Sequence, residues 1–182
     1  GIQPITHFDV EPFSTRFGGP IYGFDVEKYV TKKDSRKMDK FIHYGMGAGI
    51  QAIEDANLEI TDENRRRIGV AIGSGIGGIT GIENNYEAYR KSGPRKISPF
   101  FVPANIINMV AGDLSIKYGL QGPNYSIVSA CSTGTHNIGE ASFLIRHGMV
   151  DVMIAGGSEM ATSPVGLGGF AAARALSTRN DD

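Results

Sequence analysis

The chain has 182 residues, 41% of them hydrophobic, which is enough to bury the core of one domain and argues against disorder. Its 18 Lys+Arg nearly balance its 19 Asp+Glu, so no global charge draws it to nucleic acid or to an anionic membrane. No apolar run approaches the roughly 18 residues of a membrane span and no basic-then-apolar signal opens the chain, so a cytosolic location is expected, or plastid or mitochondrial in a eukaryote.

Residues 1–33 are punctuated by Pro4, Pro12 and Gly18-Gly19-Pro20 and read as a surface-hugging loop. A helix follows, capped by Asp34 or Ser35 and ending near Asn57. Met38, Phe41, Ile42, Gly45, Met46, Gly49, Ile50 and Ile53 recur along it at helical steps, and the two glycines on that stripe imply close packing against a neighbour. Arg67 to Gly73 is a short apolar run bounded by charge and glycine, a buried strand. A glycine-rich turn then opens a helix over 79–91. Pro94 and Pro99 bracket a basic loop, and Phe100 to Tyr118 reads as helical with a break near Gly112. Asn124 to Ala130 is the second strand, Ser132 to His147 a helix rich in small residues, and Asp151 to Ala155 the third strand. Alternating strands and helices predict an α/β fold with a mostly parallel sheet. The 25 glycines, about twice the usual ~7% share, imply many tight turns and close backbone approaches.

Cys131 is the single cysteine, which excludes an internal disulfide and any zinc site built on several thiolates; no metal and no cofactor are expected. It follows a strand and precedes a helix. That position favours a thiolate through the partial positive charge of the helix N-terminus, exposes the side chain on a sharp turn, and places backbone N–H groups where an oxyanion would form. A lone cysteine is also often a small buried hydrophobe, so the residues alone leave both roles open. His136, five positions on, falls about 140° around an ideal helix and is expected to face away from the sulfur. His7, His43 and His147 stand in contexts that suit structural roles. A base for Cys131 is therefore expected outside this chain.

Gly73-Ser74-Gly75-Ile76-Gly77-Gly78 contains G-x-G-x-x-G between a strand and a helix, the pattern of a dinucleotide-binding turn. The acidic residue at the end of a second strand, about 20 positions on, is missing, and a close-packed turn with Ile76 lining an apolar pocket is the alternative. Basic clusters at Lys32-Lys33 with Arg36-Lys37, at Arg65-Arg66-Arg67 and at Arg95-Lys96 read as solvated faces, or as docking points for an acidic protein.

Val128-Ser129-Ala130-Cys131-Ser132-Thr133-Gly134 resembles the nucleophile motif of the β-ketoacyl-[acyl-carrier-protein] synthases, the type II condensing enzymes in particular. The likeness extends to Gly73–Gly78, Gly93–Pro103, Asn108–Gly112, Ala155–Glu159 and Gly169–Asn180, nearly the whole chain. It implies a thiolase-like fold, two related α/β halves in five αβαβα layers paired as a homodimer, of which these residues cover most of the first half without its opening strand. It implies that Cys131 takes an acyl chain from an acyl carrier protein as a thioester, and that malonyl carrier protein then decarboxylates and attacks it. By the same resemblance Ile76, Phe101 and Phe170 line the acyl pocket, while Lys33, Arg36, Lys37, Arg95, Lys96 and Arg174 receive the acidic carrier protein. The family's two active-site histidines, its lysine and its gating phenylalanine lie in the second half, so these 182 residues alone are expected to fall short of full condensation. A coenzyme A-dependent enzyme of the same fold, a dinucleotide-binding oxidoreductase and a non-catalytic partner that sets product length are the competing readings.

Overall fold

The computed structural model describes residues 1–181. The N-terminal segment carries only a two-residue antiparallel pair, β1 (Gln3–Pro4) with β2 (Phe17–Gly18). It is fastened to the C-terminal segment: the Thr15 hydroxyl donates to Ser177 O at 2.7 Å, and Asn180 Oδ1 accepts from the Arg16 amide at 2.8 Å.

The single helix expected from Asp34 or Ser35 onward is two. Thr31 caps the four-residue α1 (Lys32–Ser35) and Asp39 caps α2 (Lys40–Asp55). The break has a local cause. Asp39 is held extended, its carboxylate accepting from the Phe41 amide at 3.2 Å and its own amide donating to Ala104 O at 3.2 Å, so the backbone bonds that would continue α1 go elsewhere. From Phe41 to Ile53 the buried stripe is the one the periodicity predicts.

That stripe packs on α5 (Met109–Tyr118), which follows α3 (Ile79–Ser92) and the short α4 (Phe101–Asn105). A Cβ at Gly45 would stand 2.5 Å from Val110 Cγ1, and one at Gly49 2.5 Å from Leu114 Cδ1. The two glycines therefore let α2 and α5 approach closely. The break expected at Gly112 lies instead at 106–108. Ile106 turns extended, whereas the Gly112 amide keeps a helical bond to Asn108 O at 3.1 Å.

The sheet is parallel, in the order β4–β3–β5, with β3 (Ile68–Gly73) wholly buried at its centre. It pairs with β5 (Val152–Gly157) over six residues, Ile68 opposite Val152 through Gly73 opposite Gly157. Because side chains alternate along a strand, Ile68, Val70 and Ile72 share one face and join the core of α2 and α5. Gly69, Ala71 and Gly73 share the other, and the end of that face receives α6 (Thr133–Arg146): a Cβ at Gly73 would stand 2.8 Å from Thr133 Cγ2. At the end of β5 the approach is backbone on backbone, with Gly134 against Gly157.

The second strand is shorter than expected. Only Asn124–Tyr125, β4, pairs with β3. Beyond it side chains replace the ladder: the Ser126 hydroxyl donates to Ile72 O, and the Asn137 carboxamide takes both the amide and the carbonyl of Ile127 at 3.0 and 2.9 Å. Among the described residues no helix is long and apolar enough to cross a membrane.

Candidate active site

Three chain segments converge where the strands end: the loop after β3, the turn before α6 and the residues after β5. The loop 74–78 is shaped from within. Glu159, two residues past β5, accepts from the Ser74 hydroxyl at 2.9 Å through one carboxylate oxygen and from the amides of Gly75 and Ile76 at 2.9 and 3.0 Å through the other. Ser74 Oγ in turn accepts from the Gly77 amide at 2.9 Å. The N–H groups that a dinucleotide would need for its phosphates thus hold an internal carboxylate, and the G-x-G-x-x-G segment is the close-packed turn of the two readings. Asp39 fastens the start of α3 as well, accepting from the Gly81 amide at 2.6 Å.

Cys131 sits in a single 3-10 turn, Ala130–Ser132, immediately before α6, and its side chain is exposed. The turn is sharp. Ala130 has φ +52°, a left-handed conformation that an L-residue adopts at a cost of about 1 kcal/mol. Three bonds brace it from the helix side: Ser132 N to Ser129 O at 3.1 Å, Ser129 N to Thr133 Oγ1 at 3.0 Å, and Asn137 Nδ2 to Thr133 O at 2.8 Å. The sulfur therefore stands at a helix N-terminus on a strained, braced turn, the arrangement that presents a nucleophile.

Cys131 opens onto a cavity of about 500 Å³. Ile76 forms one wall and Phe170 another, each 39% exposed, so the cavity offers an apolar lining to an incoming chain. Phe170 is placed by α7 (Pro164–Ala172), whose start is held by Glu83 of α3: its carboxylate accepts from the Ser163 hydroxyl and the Val165 amide, both at 2.8 Å. Phe101, grouped with these two in the sequence reading, starts α4 and does not line this cavity.

The histidines divide. His7 contacts Thr162 O, His43 contacts Ser35 O and His147 contacts Phe143 O, at 2.6, 2.8 and 2.8 Å, each a structural use. His136, expected to face away from the sulfur, is absent from the lining of the cavity onto which Cys131 opens, and its Nδ1 shares a hydrogen bond with Ser129 Oγ, a partner the spacing argument did not foresee. Among the described residues no histidine is hydrogen-bonded to Cys131.

The charged positions are exposed except Lys37, which is half-buried. Lys33 lies on α1 and Arg36 just after it, while Lys37 pairs with Asp34 at 3.0 Å and stands 5.6 Å from the centre of the Phe100 ring. Arg95 and Lys96 lie in a 3-10 turn that ends four residues before Phe100 in the sequence. Arg174 is exposed beyond the end of α7. In the middle cluster, Arg67 forms a bidentate pair with Asp151 at 2.6 and 2.7 Å, a tie between the starts of β3 and β5. Each partner is shifted chiefly by that hydrogen bond, Asp151 downward and Arg67 upward.

The profile described as "Beta-ketoacyl synthase, N-terminal domain" matches residues 1–182. The chain belongs to the β-ketoacyl synthase family. The 3-oxoacyl-[acyl-carrier-protein] synthase 2 of Vibrio cholerae serotype O1 is 60% identical over 182 residues, covering all of this chain and 44% of that protein. The chain thus spans less than half the length of that relative. A β-ketoacyl synthase from Burkholderia phymatum superposes with TM-score 0.82 at 28% identity, over 99% of this chain and 44% of that one. A ketosynthase solved with its type II polyketide acyl-carrier protein superposes with TM-score 0.77 at 28% identity, over 82% and 43%. The α/β fold of this β-ketoacyl synthase chain is accordingly thiolase-like.

Glu159, Asn137 and the Ser129–His136 pair escaped the sequence reading. Glu159 left a signal: an acid two residues after a strand that ends in glycines, beside a glycine-rich loop with amides to satisfy. The roles of Asn137 and His136 depend on a turn whose shape periodicity does not encode.

Proposed function

We propose that this chain carries the acyl-accepting half of a fatty-acid condensing enzyme. The Cys131 thiolate attacks the carbonyl of an acyl thioester on an acyl carrier protein, the carrier's thiol leaves, and the acyl chain stays on the sulfur as a new thioester. The observation that carries this reading is the exposed Cys131 on its braced turn, opening onto a cavity walled by Ile76 and Phe170, in a β-ketoacyl synthase chain. A sulfur nucleophile suits the scheme because it must later leave when the malonyl-derived carbanion attacks its acyl group, after decarboxylation of malonyl carrier protein.

The remainder of the reading follows from it. The chain is the larger part of the first α/β half, and the groups that drive decarboxylation come from a second half. Two such assemblies pair as a homodimer, with Phe101 reaching the acyl pocket from near that interface. Lys33, Arg36, Lys37, Arg95, Lys96 and Arg174 receive the carrier protein, whose recognition by relatives is stated in the names of the Vibrio cholerae synthase and of the polyketide ketosynthase complex. The balance of charge and the lack of a membrane-crossing helix among the described residues favour work in the cytoplasm.

The test is the denaturing intact mass of the native polypeptide before and after incubation with a long-chain acyl carrier protein, alongside Cys131→Ala. An acyl increment is expected on the native protein and none on the variant. Acylation that persists in Cys131→Ala, or a folded native protein that gains no acyl group, sinks the reading. Transfer from acyl coenzyme A at an equal rate would instead favour the coenzyme A-dependent alternative.

A further inference from the structure

We propose that His136 is a positioning residue for Cys131, acting through Ser129. The inference rests on the reading of Cys131 as the acyl acceptor. A cysteine that follows a left-handed alanine is aimed by the two residues on either side of the strained peptide. On the helix side Cys131 is fixed by the 3-10 turn and by α6. On the strand side the ladder has already ended at Tyr125, and backbone pairing no longer holds the chain. Ser129 is the last residue before the strained one, and every polar group it owns is engaged with the turn or with α6: its amide with Thr133 Oγ1, its carbonyl with Ser132 N and its hydroxyl with His136 Nδ1.

The first two bonds come with the turn itself. The third is a specific choice, because it needs an imidazole one turn into α6. His136 sits on the exposed side of the helix, and its one hydrogen bond among the described residues is to Ser129. A solvent-facing histidine with no function at this turn has no need of a serine two residues before the nucleophile. The bond ties the direction of residues 129–131 to the helix axis, and a small rotation there swings the sulfur away from the cavity mouth. Misplacement of a reacting atom by about 1 Å is enough to lower a rate a hundredfold.

The test uses the longest native polypeptide that contains this chain, with Ser129→Ala, His136→Ala, His136→Asn, His136→Gln, the Ser129→Ala/His136→Ala double variant and Cys131→Ala. Three quantities are read: the rate of Cys131 acylation from acyl carrier protein, the rate of its alkylation by iodoacetamide, and the melting temperature. Ser129→Ala and His136→Ala should each slow acylation roughly tenfold, and the double variant no further, because both remove the same bond. Alkylation by the small, undirected reagent should stay within about twofold, since it reads thiolate reactivity rather than aim. The Asn carboxamide places a polar atom where Nδ1 stands, so His136→Asn should restore acylation. Gln reaches one bond further and should not.

Neither residue is buried, so the melting temperature should be unchanged. Wild-type acylation in His136→Ala, additive losses in the double variant, or failure of Asn to rescue overturns the proposal. Acylation that survives Cys131→Ala identifies the different failure, that of the nucleophile assignment itself.

Discussion

At the scale of single residues, carboxylates organise this chain more than cations do. Asp39 joins the starts of α2 and α3 to the end of α4, Glu83 holds the start of α7, and Glu159 shapes the loop beside Cys131. Asp113 on α5 contrasts with them. It lines a cleft of about 390 Å³ with Asp34, Lys37, Lys117, Met38, Met46 and Phe100, and burial, then the charge of Asp34, raises its pKa from 3.8 to about 6. A carboxyl raised in the folded state binds more protons there than in the unfolded chain between those values. Its contribution to stability is full below pH 3.8 and is lost as pH climbs through about 6. Asp113→Asn should therefore match the native chain near pH 4 and exceed it at pH 7 by about 1 kcal/mol once solvent screening is counted. Denaturant midpoints at the two pH values check this, and equal differences at both would refute it.

At the scale of elements, the sequence revealed which segments are regular more faithfully than where they stop. The strand 68–73 and the helix 79–92 lie within one residue of expectation, because a continuous apolar run and a glycine-proline boundary are local signals. The misplaced boundaries at Asp39, Ile106 and Ser126 share another origin. At Asp39 the distant Ala104 carbonyl takes the amide, at Ser126 the hydroxyl takes the distant Ile72 carbonyl, and at Ile106 the helix stops after Asn105, whose carbonyl accepts from the distant Gly78 amide. The same division holds at the site. Cys131 and the two cavity walls Ile76 and Phe170 were legible from motif and resemblance, whereas the bond of His136 to Ser129 was not, since it joins α6 to a turn whose left-handed Ala130 no periodicity encodes. The glycines on α2 were read correctly from spacing alone. Gly45→Ala gains helix propensity of up to about 1 kcal/mol but drives a methyl group into Val110, a clash worth roughly 1–3 kcal/mol. A net loss of about 1 kcal/mol is expected in thermal or urea unfolding, whereas an unchanged midpoint would mean that α5 simply shifts aside.

At the scale of the whole molecule, neutrality conceals polarity. A net charge of −1 coexists with local basic clusters at Lys33, Arg36 and Lys37, beside Phe100, and at Arg95 and Lys96. If these clusters receive an acidic carrier protein, charge will set the rate of encounter more than the strength of the final complex. Reversing Lys33 and Arg36 to Glu should raise KM for acyl carrier protein about tenfold at low salt, with kcat and the melting temperature nearly unchanged, and the penalty should shrink as salt is added. Steady-state kinetics across a salt series reads both effects; a deficit indifferent to salt would assign these residues a different task.

The six-residue pairing of β5 with β3 leaves the opposite edge of β5 without a strand among the described residues. An uncovered edge is a template for any polypeptide that can extend alongside it, including another copy of the same sequence. For any chain that presents such an edge, correct closure competes with fibrous self-association. A strand that added there would extend the sheet through the main-chain groups of β5, independently of any chemistry at Cys131.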